Sequence, residues 1–402
     1  MPGSLPNQTV GGPTRRWLAV GQSSNPRAFE AGADAAAQAA PPERAATAKL
    51  LVVFASDAYD LGQLLAGIRS GAPDVPLIGC STAGEIATSG PHDASAVVVG
   101  LGGTGLSVGT AVAEGASSDL REAGARVAAC VGAVEDRPHR VLLLLTDGLA
   151  GDQQEIVRGA YGVVGAEVPL VGGCAGDDLK MKATHQLFDD RVLGDAVVAA
   201  ALGSDAPLGV GVRHGWRKVG APMLVNRSAS NRVWELDGRP ALDAYLERLD
   251  APPEARVEPA AFTQFALTHP LGLSRRTGEP QVRFIGGADF EDRSLGCIAE
   301  VPQGGMAWIM EGDESSVLQA TDTACHDALD SLGGRPPIGL LAFDCIARRG
   351  ILGDEGIQRE VDRVATHAGG APVAGFYTYG EIARTRGISG FHNQTLVVLA
   401  LS

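Results

Sequence analysis

At 402 residues the chain is longer than one hydrophobic core ordinarily supports, and 45% hydrophobic against 20% charged residues excludes a disordered or fibrous body, so two globular domains are expected. A formal net charge of -14 with 5% aromatic residues excludes DNA, RNA and anionic lipid as main partners. Such binding needs Lys and Arg to neutralise phosphates and rings to stack on bases. Cys80, Cys130, Cys174, Cys297, Cys325 and Cys345 show neither a Cys-x-x-Cys pair nor zinc spacing, which implies reduced thiols in a cytoplasm. No apolar run approaches the ~18 residues of a membrane-spanning helix. The stretch 22–26 after Arg15 and Arg16 lacks the apolar segment of an export signal.

In chain order, residues 1–15 read as a disordered tail without apolar periodicity. A strand from Trp17 leads to an Ala-rich helix at 27–40, ended by Pro41 and Pro42. Strand 50–54, closed by Asp57, and strand 96–101 follow; a Gly-rich turn then leads to strand 108–112, which reads as a hairpin. That turn superficially resembles a dinucleotide fingerprint, but a strand and not a helix comes after it. Helix 118–134 separates this unit from strands 141–145, closed by Asp147, 196–202 and 210–214, the last two again reading as a hairpin. A boundary near residue 220 makes 16–220 the first domain and 221–402 the second. The second contains helix 239–248, a loop at Pro252 and Pro253, strands 282–285 and 306–310, and helix 313–332. The acidic, Gly-rich loop 284–305 is expected to cover a pocket. Strand 338–343, closed by Asp344, a helix capped by Asp354 with Ile357, Val361, Val364 and Ala368 at helical spacing, and strand 395–401 complete the chain.

Self-comparison shows that one pattern occurs three times. Pro76, Gly79, Glu85 and Ile86 align without gaps with Pro169, Gly172, Asp178 and Leu179, and with Pro372, Gly375, Glu381 and Ile382. Each motif lies between two buried-type strands, with helical sequence before it. The expected fold is α/β, with mixed sheets built from repeated β-α-β-β units and helices outside, because hairpins require antiparallel pairing beside the parallel crossovers.

These motifs, together with Phe391, His392, Asn393, Gln394 and Thr395 after the third, resemble the paired N- and C-terminal FIST domains from about Trp17 onward. Gly215, Trp216, Val219, Gly220 and the run from Glu235 to Ala241 resemble that family's linking region. The resemblance implies a sensory input module that binds small ligands such as amino acids, often attached to a histidine kinase, a cyclic-dinucleotide enzyme or a methyl-accepting receptor. None of those outputs is visible, so signal output is expected through a separate partner protein. Certain members bind haem and sense nitric oxide, which gives a second ligand class, haem, held noncovalently here for want of an attachment motif.

Candidate ligand-binding residues follow from the repeated loops: Cys80, Ser81, Thr82 and Glu85 in the first, Cys174, Asp177 and Asp178 in the second, Tyr377, Tyr379 and Glu381 in the third. Loop N–H groups offer sites to an anion and the carboxylates to an ammonium, which suits a zwitterion. The bland reading is that the carboxylates close turns. Arg213 and Trp216 offer a carboxylate clamp and a packing surface, against a reading as a strand end at the interdomain joint. Tyr377 and Tyr379 are expected on one strand face. His392, beside Asn393, is the first histidine to consider as a haem ligand, although a lone histidine is more often structural. No catalytic residue or metal site is assigned. The enzyme alternative is a Cys-dependent hydrolase using Cys80 or Cys174 with a distant base.

Overall fold

The computed structural model describes residues 15–134, 136–274, 280–385 and 390–402. Apart from Arg15, the expected tail lies outside them.

Unit one runs β1 (Trp17–Ser23), α1 (Ala28–Ala39), the single turn α2 (Pro42–Ala45), β2 (Ala48–Ser56), α3 (Leu61–Gly71), β3 (Leu77–Thr82), the small hairpin β4 (Glu85–Ala87) and β5 (Gly90–His92), and β6 (Ala96–Gly102). Unit two repeats it with β7 (Leu106–Glu114), α4 (Leu120–Ala128), β8 (His139–Thr146), α5 (Gln153–Val164), β9 (Leu170–Cys174), the hairpin β10 (Gln186–Phe188) and β11 (Arg191–Leu193), and β12 (Ala196–Ser204). Unit three opens with β13 (Leu208–Arg213) and is then interrupted by an insertion. The insertion holds β14 (Arg217–Ala229), β15 (Arg232–Leu236), β16 (Arg239–Pro240), α6 (Ala241–Arg248), α7 (Pro259–Ala266), β17 (Leu271–Leu273), β18 (Gln281–Arg283), β19 (Ile285–Asp289), β20 (Ser294–Cys297) and β21 (Met306–Glu311). Unit three resumes with α8 (Glu314–Asp330), β22 (Gly339–Cys345), α9 (Ile346–Ala368), β23 (Val373–Thr378), the hairpin β24 (Glu381–Arg384) and β25 (Phe391–His392), and β26 (Leu396–Leu401).

Each unit builds four strands of one sheet in the same order: β1-β6-β2-β3, β7-β12-β8-β9 and β13-β26-β22-β23, with the last two strands of each set parallel. The small hairpins do not stay at home. β4 and β5 extend the sheet of unit three, β10 and β11 that of unit one, and β24 and β25 that of unit two. The mixed α/β architecture is the expected one, and the exchange of hairpins is cyclic.

Two expectations are corrected. Strands 108–112 and 210–214 are not hairpin partners of the strands before them. β6 already has β1 on one side and β2 on the other, so it offers no free edge and β7 passes to the next sheet to pair with β12. β13 likewise pairs with β26, because β12 is held by β7 and β8. The Gly-rich turn after β6 is therefore a crossover between sheets. The gapless alignment of the second motif also fails. Gln186 pairs with Cys80 as Glu85 pairs with Phe376 and Glu381 with Gly173, so Gln186 and not Asp178 occupies the repeated position. Residues 176–185 are an additional loop in unit two.

The inner faces of the three sheets share one core, with Phe54, Leu143, Val198, Phe343, Phe376 and Val397 among its fully buried members. Phe54 stacks on Phe376 at 4.8 Å between ring centroids and meets Phe343 edge-on at 6.2 Å. The helices cover the outer faces, each pair over its own unit. Close approach explains much of the small-residue content. A Cβ at Gly32 or Gly67 would overlap a backbone carbonyl across the α1–α3 crossing, and Gly124 and Gly159 play that part for α4 and α5. The motif glycines Gly79, Gly172 and Gly375 have a related cause, since a Cβ there would overlap the carbonyl of Val53, Leu144 or Ala342 on the parallel neighbour.

The insertion has its own core around Met223, Tyr245, Phe262, Leu271 and Leu295. Residue 220 falls within β14, which pairs with β21. Helix α8 starts where expected: Asp313 caps it, accepting from Ser316 N at 2.8 Å. Helix α9 begins earlier than expected, after Cys345, and breaks at Gly353 (φ 62°, ψ -179°), so Asp354 opens its second segment. All six cysteines are buried and free. Among the described residues no helix is long and apolar enough to cross a membrane.

Candidate functional site

The repeated carboxylates act as strand staples. Glu85 accepts from Thr82 Oγ1, from Ser95 N at 3.1 Å and from Ser95 Oγ at 2.7 Å. Glu381 does the same with Thr378 Oγ1 at 2.6 Å, Thr395 N at 3.1 Å and Thr395 Oγ1 at 2.8 Å. In each case the N–H belongs to the residue just before the last strand of the unit. Unit two secures its equivalent, Asp195 N, on Asp147 Oδ2 at 2.9 Å, and Thr184 donates to the other oxygen at 2.7 Å. Burial raises Glu85 from 4.5 to about 8 and Glu381 from 4.5 to about 7, against the lowering effect of these hydrogen bonds. Both are fully buried with their oxygens engaged, so the bland reading holds and neither is placed to meet an ammonium group.

A cavity of about 430 Å³ lies elsewhere, where loops of units two and three meet the insertion. Gly148, Leu149, Gly151 and Asp152 reach it from the end of β8, and Leu179 and Met181 from the additional loop after β9. Cys345, Ile346 and Ala347 come from the end of β22, with Tyr379 after β23 and Asn393 before β26. The insertion closes the far side through Ser230, Asn231, Phe284 and the run Cys297, Ile298, Ala299 and Glu300. The carboxyl ends of parallel strands are where open α/β sheets ordinarily place ligands.

Tyr379 fixes the additional loop. Its hydroxyl donates to Asp177 and accepts from Leu179 N at 2.7 Å. The Asp177 carboxylate also accepts from the N–H groups of Met181, Lys182 and Ala183 at 3.0, 2.7 and 3.0 Å. Burial works against the charge on Asp177, but the bonds from Tyr379 and those N–H groups outweigh it and hold the carboxyl below its usual range. Asp178, Leu179 and Met181 all have positive φ, between 53° and 60°, so three residues with side chains sit in the left-handed region of this loop, and two of them, Leu179 and Met181, line the cavity.

Of the residues singled out from sequence, only Tyr379 and Asn393 line this cavity, with Asp177 held against Tyr379. The others are placed as follows. Ser81 Oγ donates to Gly176 O at 2.8 Å and accepts from His185 N at 2.9 Å, tying units one and two. Tyr377 points to the outer core with α8 and α9 and lies under Arg349, so the two tyrosines part company: Tyr379 is already past the strand end. Asp178 is exposed. Arg213 pairs with Asp327 at 2.6 Å and is not part of the cavity wall; Trp216 is buried beside Val282 and Met310 and donates to Gln394 O at 3.2 Å. The carboxylate clamp expected from that pair is therefore not assembled.

His392 is 7% exposed with Nε2 2.9 Å from Ala383 O, a bond that iron coordination through Nε2 would have to break. Cys80 is in the central core and Cys174 in the core under α4 and α5. Burial pushes the Cys80 thiol well above its usual range and Cys174 up to about 12, so neither carries the thiolate that a nucleophile needs. The Cys174 sulfur accepts a hydrogen bond from the Thr146 hydroxyl at 3.2 Å.

Sequence reasoning missed the β8 loop and the start of α9; segment 284–305, read as a loop over a pocket, instead forms the paired strands β19 and β20, and supplies Phe284 and the run from Cys297 to Glu300 to the wall. The signal available for the rest was topological: the loops after Thr146 and Cys345 follow parallel strands.

A largely apolar cavity held between sheets by a few polar groups is the construction of a small-molecule binding module. Comparison with known proteins gives it a family. Residues 49–239 match the FIST N domain and residues 241–384 the FIST C domain, so the chain belongs to the FIST family, whose domains bind small ligands in signal transduction. An uncharacterized protein of Mycobacterium tuberculosis is 26% identical over 389 residues, covering 94% of this chain and 97% of its own. An uncharacterized protein of Mycobacterium bovis is 26% identical over 390 residues with the same coverage, and one of Methanocaldococcus jannaschii is 26% identical over 181 residues, 42% of this chain and 34% of its own.

Proposed function

We propose that the protein is a sensor in signal transduction that holds an amino-acid-like ligand in the cavity between units two and three and the insertion, and passes the signal to a separate partner protein. The observation that carries this reading is the cavity itself, about 430 Å³ and walled by loops from two sheets and a third element. Pockets for small ligands are ordinarily of this size and stand at such junctions. Ligand binding there would link the insertion to the strand ends of units two and three, which is how a small molecule acquires leverage over relative position.

A thermal-shift screen of the full chain against free amino acids and simple amines tests it, since a ligand that binds only the native state raises apparent stability by mass action. Ala347 lines the cavity from the first turn of α9. Ala347→Phe should abolish the shift, with circular dichroism confirming the fold, while Arg213→Ala should leave it unchanged. No stabilising compound, or a shift indifferent to Ala347→Phe, would remove the assignment.

A further inference from the structure

The additional loop of unit two stands on a single residue. Ser81 N donates to His185 O at 2.9 Å and Ser81 O accepts from Gly176 N at 3.0 Å, while Ser81 Oγ donates to Gly176 O and accepts from His185 N. Between these two feet the run 178–183 is exposed throughout and joins none of the cores under the sheets. A surface segment with its ends pinned together and its middle clear of the core is an Ω-loop, a form that frequently carries function.

The middle is held by few groups. Asp177 shapes it from within, through the N–H groups of Met181, Lys182 and Ala183. From outside, among the described residues, two side chains reach it: the Tyr379 hydroxyl, on Leu179 N and Asp177, and Asp57, whose carboxylate takes Lys180 Nζ at 2.7 and 2.8 Å. The lysine side chain is 46% exposed, and ion pairs of that kind hold weakly, which leaves Tyr379 as the main latch.

Tyr379 also faces the other way. Its ring lines the cavity and packs on Gly148, where a Cβ would stand 3.1 Å from it, so a body in the cavity would touch the residue that holds the loop. The loop in turn brings Leu179 and Met181 to the cavity at 61% and 56% exposure, and the insertion brings Ile298 at 40%. Large apolar side chains left in water beside a cavity gain burial when they close on an apolar body. The left-handed backbone at Asp178, Leu179 and Met181 costs free energy in the observed arrangement, which lowers the cost of leaving it.

Resting on the cavity being the ligand site, we propose that residues 177–183 are a strap that moves on the feet Gly176 and His185 and closes Leu179 and Met181 over an occupied cavity, with Tyr379 as the positioning residue that couples the two.

The chain's lysines make this measurable: Lys180 and Lys182 lie in the strap, and the other two, Lys49 in β2 and Lys218 in β14, report loss of fold. A lysine-specific endoproteinase cuts a folded chain where a segment leaves the body. Tyr379→Phe keeps the ring and removes the hydroxyl, so cleavage at Lys180 and Lys182 should rise ~10-fold or more with Lys49 and Lys218 unchanged. N-phenyl-1-naphthylamine, a neutral apolar dye, should bind the full chain with a rise in fluorescence and slow cleavage in the strap, and Ala347→Phe should abolish both effects. Replacing both exposed side chains, Leu179→Ser with Met181→Ser, should leave the fold intact, weaken the dye several-fold and remove its protection of the strap. Strap cleavage unaltered by Tyr379→Phe, or rising in parallel at all four lysines, would overturn the role of Tyr379. A dye that binds, is blocked by Ala347→Phe and still leaves strap cleavage as fast as before would overturn the strap while keeping the cavity. Absence of saturable dye binding, or binding indifferent to Ala347→Phe, would sink the cavity reading and the strap with it.

Discussion

Two fully buried carboxyls should each subtract from the stability of the protein as pH rises. Glu85 is raised from 4.5 to about 8 by burial, opposed by its bonds to Thr82 and Ser95; Glu381 is raised to about 7 for the same reason, opposed by Thr378 and Thr395. In the folded protein each is neutral at weakly acidic pH, whereas in the unfolded chain each ionises near 4.5. Between those values the folded state binds the extra proton, so stability is fully present below about pH 4.5 and falls by about 1.4 kcal/mol per pH unit per group. For Glu85 the loss is complete near pH 8 and is on the order of 4 kcal/mol; for Glu381 it is complete near pH 7 and somewhat smaller. Gln186 already fills the equivalent position in unit two, so an amide fits the sheet at this place. Glu85→Gln and Glu381→Gln should each flatten the decline, and the double variant should flatten it most. Urea unfolding of the parent and the three variants at about pH 5, 6, 7 and 8 measures this directly. A double variant whose stability follows pH in parallel with the parent would refute the reasoning, as would a parent protein more stable at the alkaline end.

Gly375→Ala should cost at least ~3 kcal/mol in denaturant unfolding or prevent soluble expression, because its Cβ would overlap the Ala342 carbonyl; Gly71→Ala, with open space at its Cβ, should be neutral or mildly stabilising. Arg348 is fully buried, with Nε 2.8 Å from Asp344 and a contact to Glu360, so Arg348→Met should cost about 3–5 kcal/mol by leaving acids unpaired. Arg213→Ala breaks a partly exposed pair with Asp327 and should cost about 1 kcal/mol in the same assay, well below Arg348→Met.

The repetition was legible because strands buried on both faces appear as unbroken apolar runs, as in Leu142, Leu143, Leu144 and Leu145, and because the motif glycines mark the same close approach three times. The destination of each hairpin was not. A strand of three residues such as β4 or β10 carries too little alternation to specify its partner, and β7 looks like the mate of β6 until both edges of β6 are seen to be taken. The additional loop of unit two hid Gln186 and drew attention to Asp178, one residue beyond the carboxylate that Tyr379 holds. Most of the cavity wall consists of residues such as Leu149, Phe284 and Ala299, whose chemistry in a sequence is that of any core, so only the meeting of separate elements distinguishes them.

The circulating hairpins make folding a problem of closure. Unit one borrows an edge from unit two, unit two from unit three, and unit three from unit one, so no unit has a finished sheet until all three are present. Bringing Glu85 beside Phe376, or Leu208 beside Leu401, fastens segments far apart in the chain, and such topologies fold slowly. Until then β3, β9 and β23 each wait with an open edge that accepts a hairpin of the right shape from any source. At high concentration that source includes another copy of the same chain, so a ring that closes within one molecule has an intermolecular counterpart made of identical contacts.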